Sequence, residues 1–98
     1  MLIKYKNKQL EKVCNDASAA KKQFGHEMAV KIHQRIDQIL ASDSVESMVK
    51  HRIGNCHPLQ GDRKGQYAVD LVQPQRLVFE KRGSEIQIAY IIEIVDYH

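Results

Sequence analysis

Residues 66–98, QYAVDLVQPQRLVFEKRGSEIQIAYIIEIVDYH, decide the fold. Three apolar runs, 66–72, 76–81 and 85–95, are separated by Gln73-Pro74-Gln75 and Arg82-Gly83-Ser84. Connections this short, built around Pro or Gly, fold the chain back on itself and predict an antiparallel meander. In the last run Ile86, Ile88, Tyr90, Ile92 and Ile94 alternate with Gln87, Ala89, Ile91, Glu93 and Val95. A period of two gives a strand with one buried and one less buried face. The run leads into Asp96, Tyr97 and His98. An aromatic and an imidazole that can each carry a proton are thereby fixed to the rim of the most rigid predicted element, where geometry can be held closely enough for chemistry.

Upstream the period changes from two to 3.6. Residues 2–5 suit a first strand, and Asn7 can cap a helix whose apolar side is Leu10, Val13, Cys14 and Ala17. Gly25, following Phe24, reads as a left-handed helix stop. Met28, Ile32, Ile36, Ile39 and Leu40 then form the stripe of a second helix, with Lys31, His33, Arg35 and Asp37 on its other faces. His33 is expected in solvent and His26 in the joint. From 41 to 65 the periodicity fades, and Gly54, Pro58, Gly61 and Gly65 mark a loop-rich stretch. One strand, two helices and a three-stranded meander make an α+β domain of order β-α-α-β-β-β, with the helices on one sheet face.

The chain has 98 residues, room for a single domain spanning 1–98. Cys14 fits the apolar stripe as a small hydrophobe, and it lies far from Cys56, so no bridge between them is expected. Cys56 directly precedes His57, and sequence neighbours rarely face one metal together, so no zinc site is expected. With no secretory leader and no apolar run near the ~20 residues of a membrane span, the reading is a cytoplasmic protein in a reducing compartment. Net charge is +3, and residues 1–42 hold eight Lys or Arg against four acids. Between 50 and 82, Lys50, Arg52, Arg63, Lys64, Arg76, Lys81 and Arg82 face only Asp62, Asp70 and Glu80. Such a balance fits a polyanionic partner.

Read in order, His57-Pro58-Leu59-Gln60-Gly61-Asp62-Arg63-Lys64-Gly65-Gln66-Tyr67-Ala68-Val69-Asp70-Leu71, Arg76-Leu77-Val78-Phe79-Glu80 and Glu93-Ile94-Val95-Asp96-Tyr97-His98 resemble the HigB branch of the RelE/ParE toxin superfamily. Lys21-Lys22-Gln23-Phe24-Gly25 and Lys31-Ile32-His33-Gln34-Arg35-Ile36 are similar to the two helices of the same proteins. The resemblance implies the RelE-like fold, two N-terminal helices on a twisted antiparallel sheet. It also implies a type II toxin that cleaves mRNA in the ribosomal A site and inhibits translation. The implied partners are the ribosome with its mRNA and a small helix-turn-helix antitoxin of HigA type, through whose complex alone operator DNA would be bound. Carried over by position, the catalytic residues are His57, Arg76, Asp96, Tyr97 and His98. Gln60 departs from relatives that have Lys after His-Pro-Leu, and Asp70 stands near where some carry a second Arg.

Chemistry gives reasons for those residue types. Cutting RNA without a metal or other cofactor needs a base for the ribose 2′-hydroxyl proton, an acid for the departing 5′-oxygen, and a cation for the phosphorane-like transition state. Two imidazoles suit the acid and base, since both protonation states are accessible near neutral pH. His98 is assigned as acid and His57 or Asp96 as base, labels that could be exchanged. Arg76 is the clamp, Tyr97 stacks on or orients a base, and Arg63 and Lys64 are RNA-binding residues that grip phosphates. As a plain surface residue, Arg76 would instead pair with Asp70 or Glu80. Two other functions share the fold: a ParE-like inhibitor that poisons a DNA topoisomerase by binding, and a non-toxic RNA- or protein-binding module.

Overall fold

The computed structural model describes residues 1–96. Among them the order is β1 (Leu2–Tyr5), α1 (Lys8–Asn15), α2 (Ala17–Phe24), α3 (His26–Ala41), α4 (Val45–Lys50), β2 (His57–Pro58), β3 (Gln66–Asp70), β4 (Gln75–Arg82) and β5 (Ile88–Asp96). Single 3-10 turns lie at Ile53–Asn55 and Gly61–Arg63. The α+β class, the first strand, the long helix and the meander are as the sequence predicts, and Tyr97 and His98 lie outside the described residues.

Helix boundaries follow local capping chemistry. The Asn7 side chain accepts the Leu10 N–H at 2.9 Å and starts α1. The expected first helix is in fact two, because Asp16 ends one and begins the next. Its N–H donates to the Lys12 carbonyl at 2.8 Å, while its carboxylate accepts from the Ser18 and Ala19 N–H groups. Ala17 consequently leaves the predicted stripe and is exposed. Gly25, at φ +90°, separates α2 from α3. Along α3, Met28, Ile32, Ile36 and Ile39 are buried, but Leu40, a further ~100° around the helix, is 52% exposed. The short α4 lies in the stretch read as loop. Ser44 caps it by accepting from the Ser47 N–H, and it buries Val45 and Met48.

The five strands form one sheet of order β1-β5-β4-β3-β2. Pairings within the meander and to β2 are antiparallel, but β1 runs parallel to β5, so the sheet is mixed. No hairpin joins β1 to β5. The crossover through the helices leaves room for parallel alignment. The β3–β4 turn contains a cis Gln73–Pro74 bond and is closed by the Gln75 N–H to the Val72 carbonyl at 2.9 Å. In the β4–β5 turn Gly83 has φ +89°, and a Cβ there would lie 2.1 Å from the Ile86 carbonyl oxygen, so glycine is required.

Tyr67, Val69, Leu77, Phe79, Ala89 and Ile91 meet the helices and join Val13, Cys14, Ile32, Ile36, Ile39, Val45 and Met48 in one core. Tyr67 and Phe79 stack within this layer, ring centroids 5.9 Å apart. The predicted alternation along β5 is not continuous. Val78 pairs with Glu93 whereas Phe79 pairs with Ile91, leaving Ile92 as an extra, bulged residue. Beyond the bulge Ile94, not Glu93, packs on the core. Ile86 precedes the strand and is 67% exposed.

Candidate active site

The sheet face away from the helices carries two of the functional candidates, His57 and Arg76. Cross-strand partners share a face, so the row His57, Ala68, Val78, Glu93 lies on this side. So do Asp70, Arg76 and Val95 in one flanking row, and Gln66, Glu80 and Tyr90 in the other. The 59–65 connection reaches over the middle of this face. Its Arg63 guanidinium donates to Glu93 Oε1 at 2.6 Å and its Nε to Gln66 Oε1 at 2.9 Å. Ala68 and Val78 are fully buried, the small Ala68 leaving space above it for a long side chain.

His57 is half-buried in β2, and its Nδ1 lies 2.8 Å from the Asn55 carbonyl oxygen. A carbonyl can only accept, so Nδ1 carries the proton and Nε2 becomes the basic nitrogen of the neutral ring. The loop before it holds Arg52, Gly54 and Asn55 at φ 54°, 59° and 55°, a left-handed conformation that non-glycine residues adopt at some cost. Two contacts fix it. The Arg35 side chain packs against Gly54, where a Cβ would approach within 2.9 Å. The Asn55 amide donates to Asp70 Oδ2 at 3.0 Å.

Arg76 begins the buried part of β4, its Nε 3.6 Å from Asp70 Oδ1. That is the pairing expected of it as a surface residue, and it occurs on the candidate face. Arg82 pairs with Glu80 at 3.6 Å and lies over the Tyr90 ring at 3.7 Å. Asp96 ends β5 opposite Gln75, in the parity of Leu77 rather than of Arg76, and is exposed. The structure therefore brings Arg76 and the end of β5 together on neighbouring strands. His57 shares the face of Arg76, two strand spacings, ~10 Å, from β4. Lys64 is exposed at the end of the Gly61–Arg63 turn. The assignments to Tyr97 and His98 lie outside the described residues.

Sequence reading missed Asn55, Glu93 and Arg35 as members of this arrangement, and took Asp70 as a lost cation or a surface partner of Arg76. Gly54-Asn55 is a local left-handed signal. Nothing local links Asn55 to Asp70 fifteen residues later. The two thiols are inert by comparison, since burial pushes both Cys14 and Cys56 up to about 12.

Helices on one face of a five-stranded mixed sheet give the chain the fold of RelE/YoeB-like toxins. Over the full length of both chains it is similar to the solved "YoeB/ParE toxin from Agrobacterium tumefaciens", with a TM-score of 0.62 and 15% sequence identity. No protein-family model matches the sequence, and no curated protein matches it.

Proposed function

We propose that this chain is the toxin of a type II toxin–antitoxin pair and acts as a ribosome-dependent, metal-independent endoribonuclease that cuts mRNA in the A site. The observation that carries the reading is the His57 imidazole, held by the Asn55 carbonyl in the tautomer a general base requires, on the same sheet face as Arg76. The toxin fold supports the class, and the arginines of that face support a phosphate-bearing substrate.

His57 Nε2 takes the 2′-hydroxyl proton, the 2′-oxygen attacks phosphorus, and Arg76 offsets the charge on the non-bridging oxygens. His98 protonates the departing 5′-oxygen, and Tyr97 stacks a base. Parity supports His57 over Asp96 as the base, because Asp96 lies out of step with Arg76. Lys64 grips a phosphate. Arg63 does so by exchanging Glu93 for RNA, and otherwise holds the 59–65 connection over the sheet. A HigA-type antitoxin restrains the toxin in the cytoplasm, and operator DNA is bound only through their complex.

Primer extension on messages from induced cells tests the reading: wild type produces in-frame cuts in translated messages, and His57→Ala and His98→Ala each abolish them. Cleavage surviving both substitutions removes the catalytic assignment. The name of the structural neighbour also includes ParE, and a ParE-like topoisomerase poison would leave messages intact while producing double-strand DNA breaks and an SOS response.

A further inference from the structure

Asp70 is where three contacts, from Asn55, Arg76 and Arg35, converge. Its Oδ2 accepts the Asn55 amide at 3.0 Å and its Oδ1 lies 3.6 Å from Arg76 Nε. Its backbone carbonyl accepts Arg35 Nε at 2.6 Å. Asn55 in turn accepts His57 Nδ1–H through its own carbonyl at 2.8 Å. We propose that Asp70 is a positioning residue: one carboxylate mechanically couples the imidazole loop to Arg76, so that general base and transition-state clamp keep a fixed separation. The inference rests on the nuclease reading for its catalytic meaning, though the coupling itself is a property of the fold.

The residue type matters. A carboxylate has two oxygens, so it can accept the amide on one side and face the guanidinium as an ion pair, beyond hydrogen-bond distance, on the other. Asn55 sits in the left-handed region, which a side-chain anchor offsets, and its carbonyl direction sets the His57 ring. Arg35 and Gly54 fix the underside of the same loop, through the Asp70 backbone and through direct packing. Hence the loop end of the brace is held from two sides and the carboxylate is the exchangeable element. The acid standing near the position where some relatives carry a cation has its own task here.

Nitrogen-15 NMR of the full chain reads the coupling without any substrate. Asp70→Ala should shift or broaden both the His57 ring nitrogens and the Arg76 Nε–H. Asn55→Ala should disturb His57 and leave Arg76 in place. Asp70→Asn, which keeps an oxygen for Asn55, should move Arg76 and largely restore His57. Arg35's bond to the Asp70 backbone survives all three variants, and unchanged core amide spectra establish that each is folded. His57 signals unmoved by both Asp70→Ala and Asn55→Ala would overturn the proposal. In single-turnover cleavage on programmed ribosomes, Asp70→Ala should slow the cut about 10²-fold, the cost of a misplacement near 1 Å, without weakening ribosome binding. Equal cleavage by this variant and wild type overturns the positioning role and leaves the nuclease reading standing. Absence of cleavage by wild type removes that reading, while the spectra still decide the coupling.

Discussion

The two faces of the sheet are built from the same strands and do opposite work. Toward the helices, Leu77, Phe79, Ala89 and Ile91 are completely buried among apolar side chains. One residue along, Arg76, Glu80 and Tyr90 face the other way, where Arg63–Glu93, Arg76–Asp70 and Arg82–Glu80 form ion pairs. The first face obtains its free energy from dry contact, about 1.5–3 kcal/mol for each large side chain fully buried. The second is partly exposed, and pairs of that kind add at most about 1 kcal/mol. A face that contributes so little to stability is free to be specified by chemistry.

The bulge at Ile92 makes this division possible along β5. Unbroken alternation would turn Glu93 toward the helices after Ile91. The extra residue reverses the parity, so Glu93 reaches Arg63 and Ile94 joins the core.

Perturbing each face in turn separates them. The largest effect is expected from Phe79→Ala, which should cost about 3–5 kcal/mol in a denaturant titration, a large share of a small domain's stability, and lower toxicity only for that reason. Arg76→Ala should cost about 1 kcal/mol or less in the same titration and slow message cleavage about 10²-fold in a single-turnover assay. If the arginine variant loses stability as heavily as the phenylalanine variant, the division of labour is wrong. Between the faces, at the β4–β5 turn, Gly83→Ala should cost about 1–3 kcal/mol by thermal unfolding, since the new methyl meets the Ile86 carbonyl at a positive φ.

The smallest effect concerns the ion pair that ties α4 to the sheet. Glu46 accepts from Lys81 and Gln87. The Lys81 hydrogen bond, followed by that of Gln87, lowers the Glu46 carboxyl below its ordinary value, and the same bond to Glu46 raises Lys81. A lowered carboxyl stabilises the fold above its unfolded pKa, and this contribution is lost as pH falls through the lowered value. For the raised amine the contribution is complete below its unfolded pKa and is lost as pH rises through the raised value. Both groups are exposed, so Glu46→Gln should flatten the acid limb of the stability profile by an amount at the edge of detection in a thermal melt.

Much of this arrangement is readable in the chain. The β5 period, the Asn7 cap, the Gly25 stop and the α3 stripe each follow from side-chain size and hydrogen-bonding capacity within a few residues. What escapes reading is set by distant partners. The six-residue α4 is too short to display a period, and its cap resembles any Ser in a loop. Asp16 looks like one more polar residue inside a helix until its carboxylate turns back onto Ser18 and Ala19. The bulge has no local signal, because Ile92 is as apolar as its neighbours. Of the candidate site, His57 and Arg76 stand out by residue type. The Asn55–Asp70 brace depends on two segments that only folding brings together.

Pairing β1 with β5 joins residues 2–5 to residues 88–91. During synthesis the opening strand must therefore wait, its ladder unmade, until residues 88–91 have also emerged. A contact of such sequence separation closes late and slowly. The sheet that carries the candidate site therefore gains its first strand in sequence only after its last has been made.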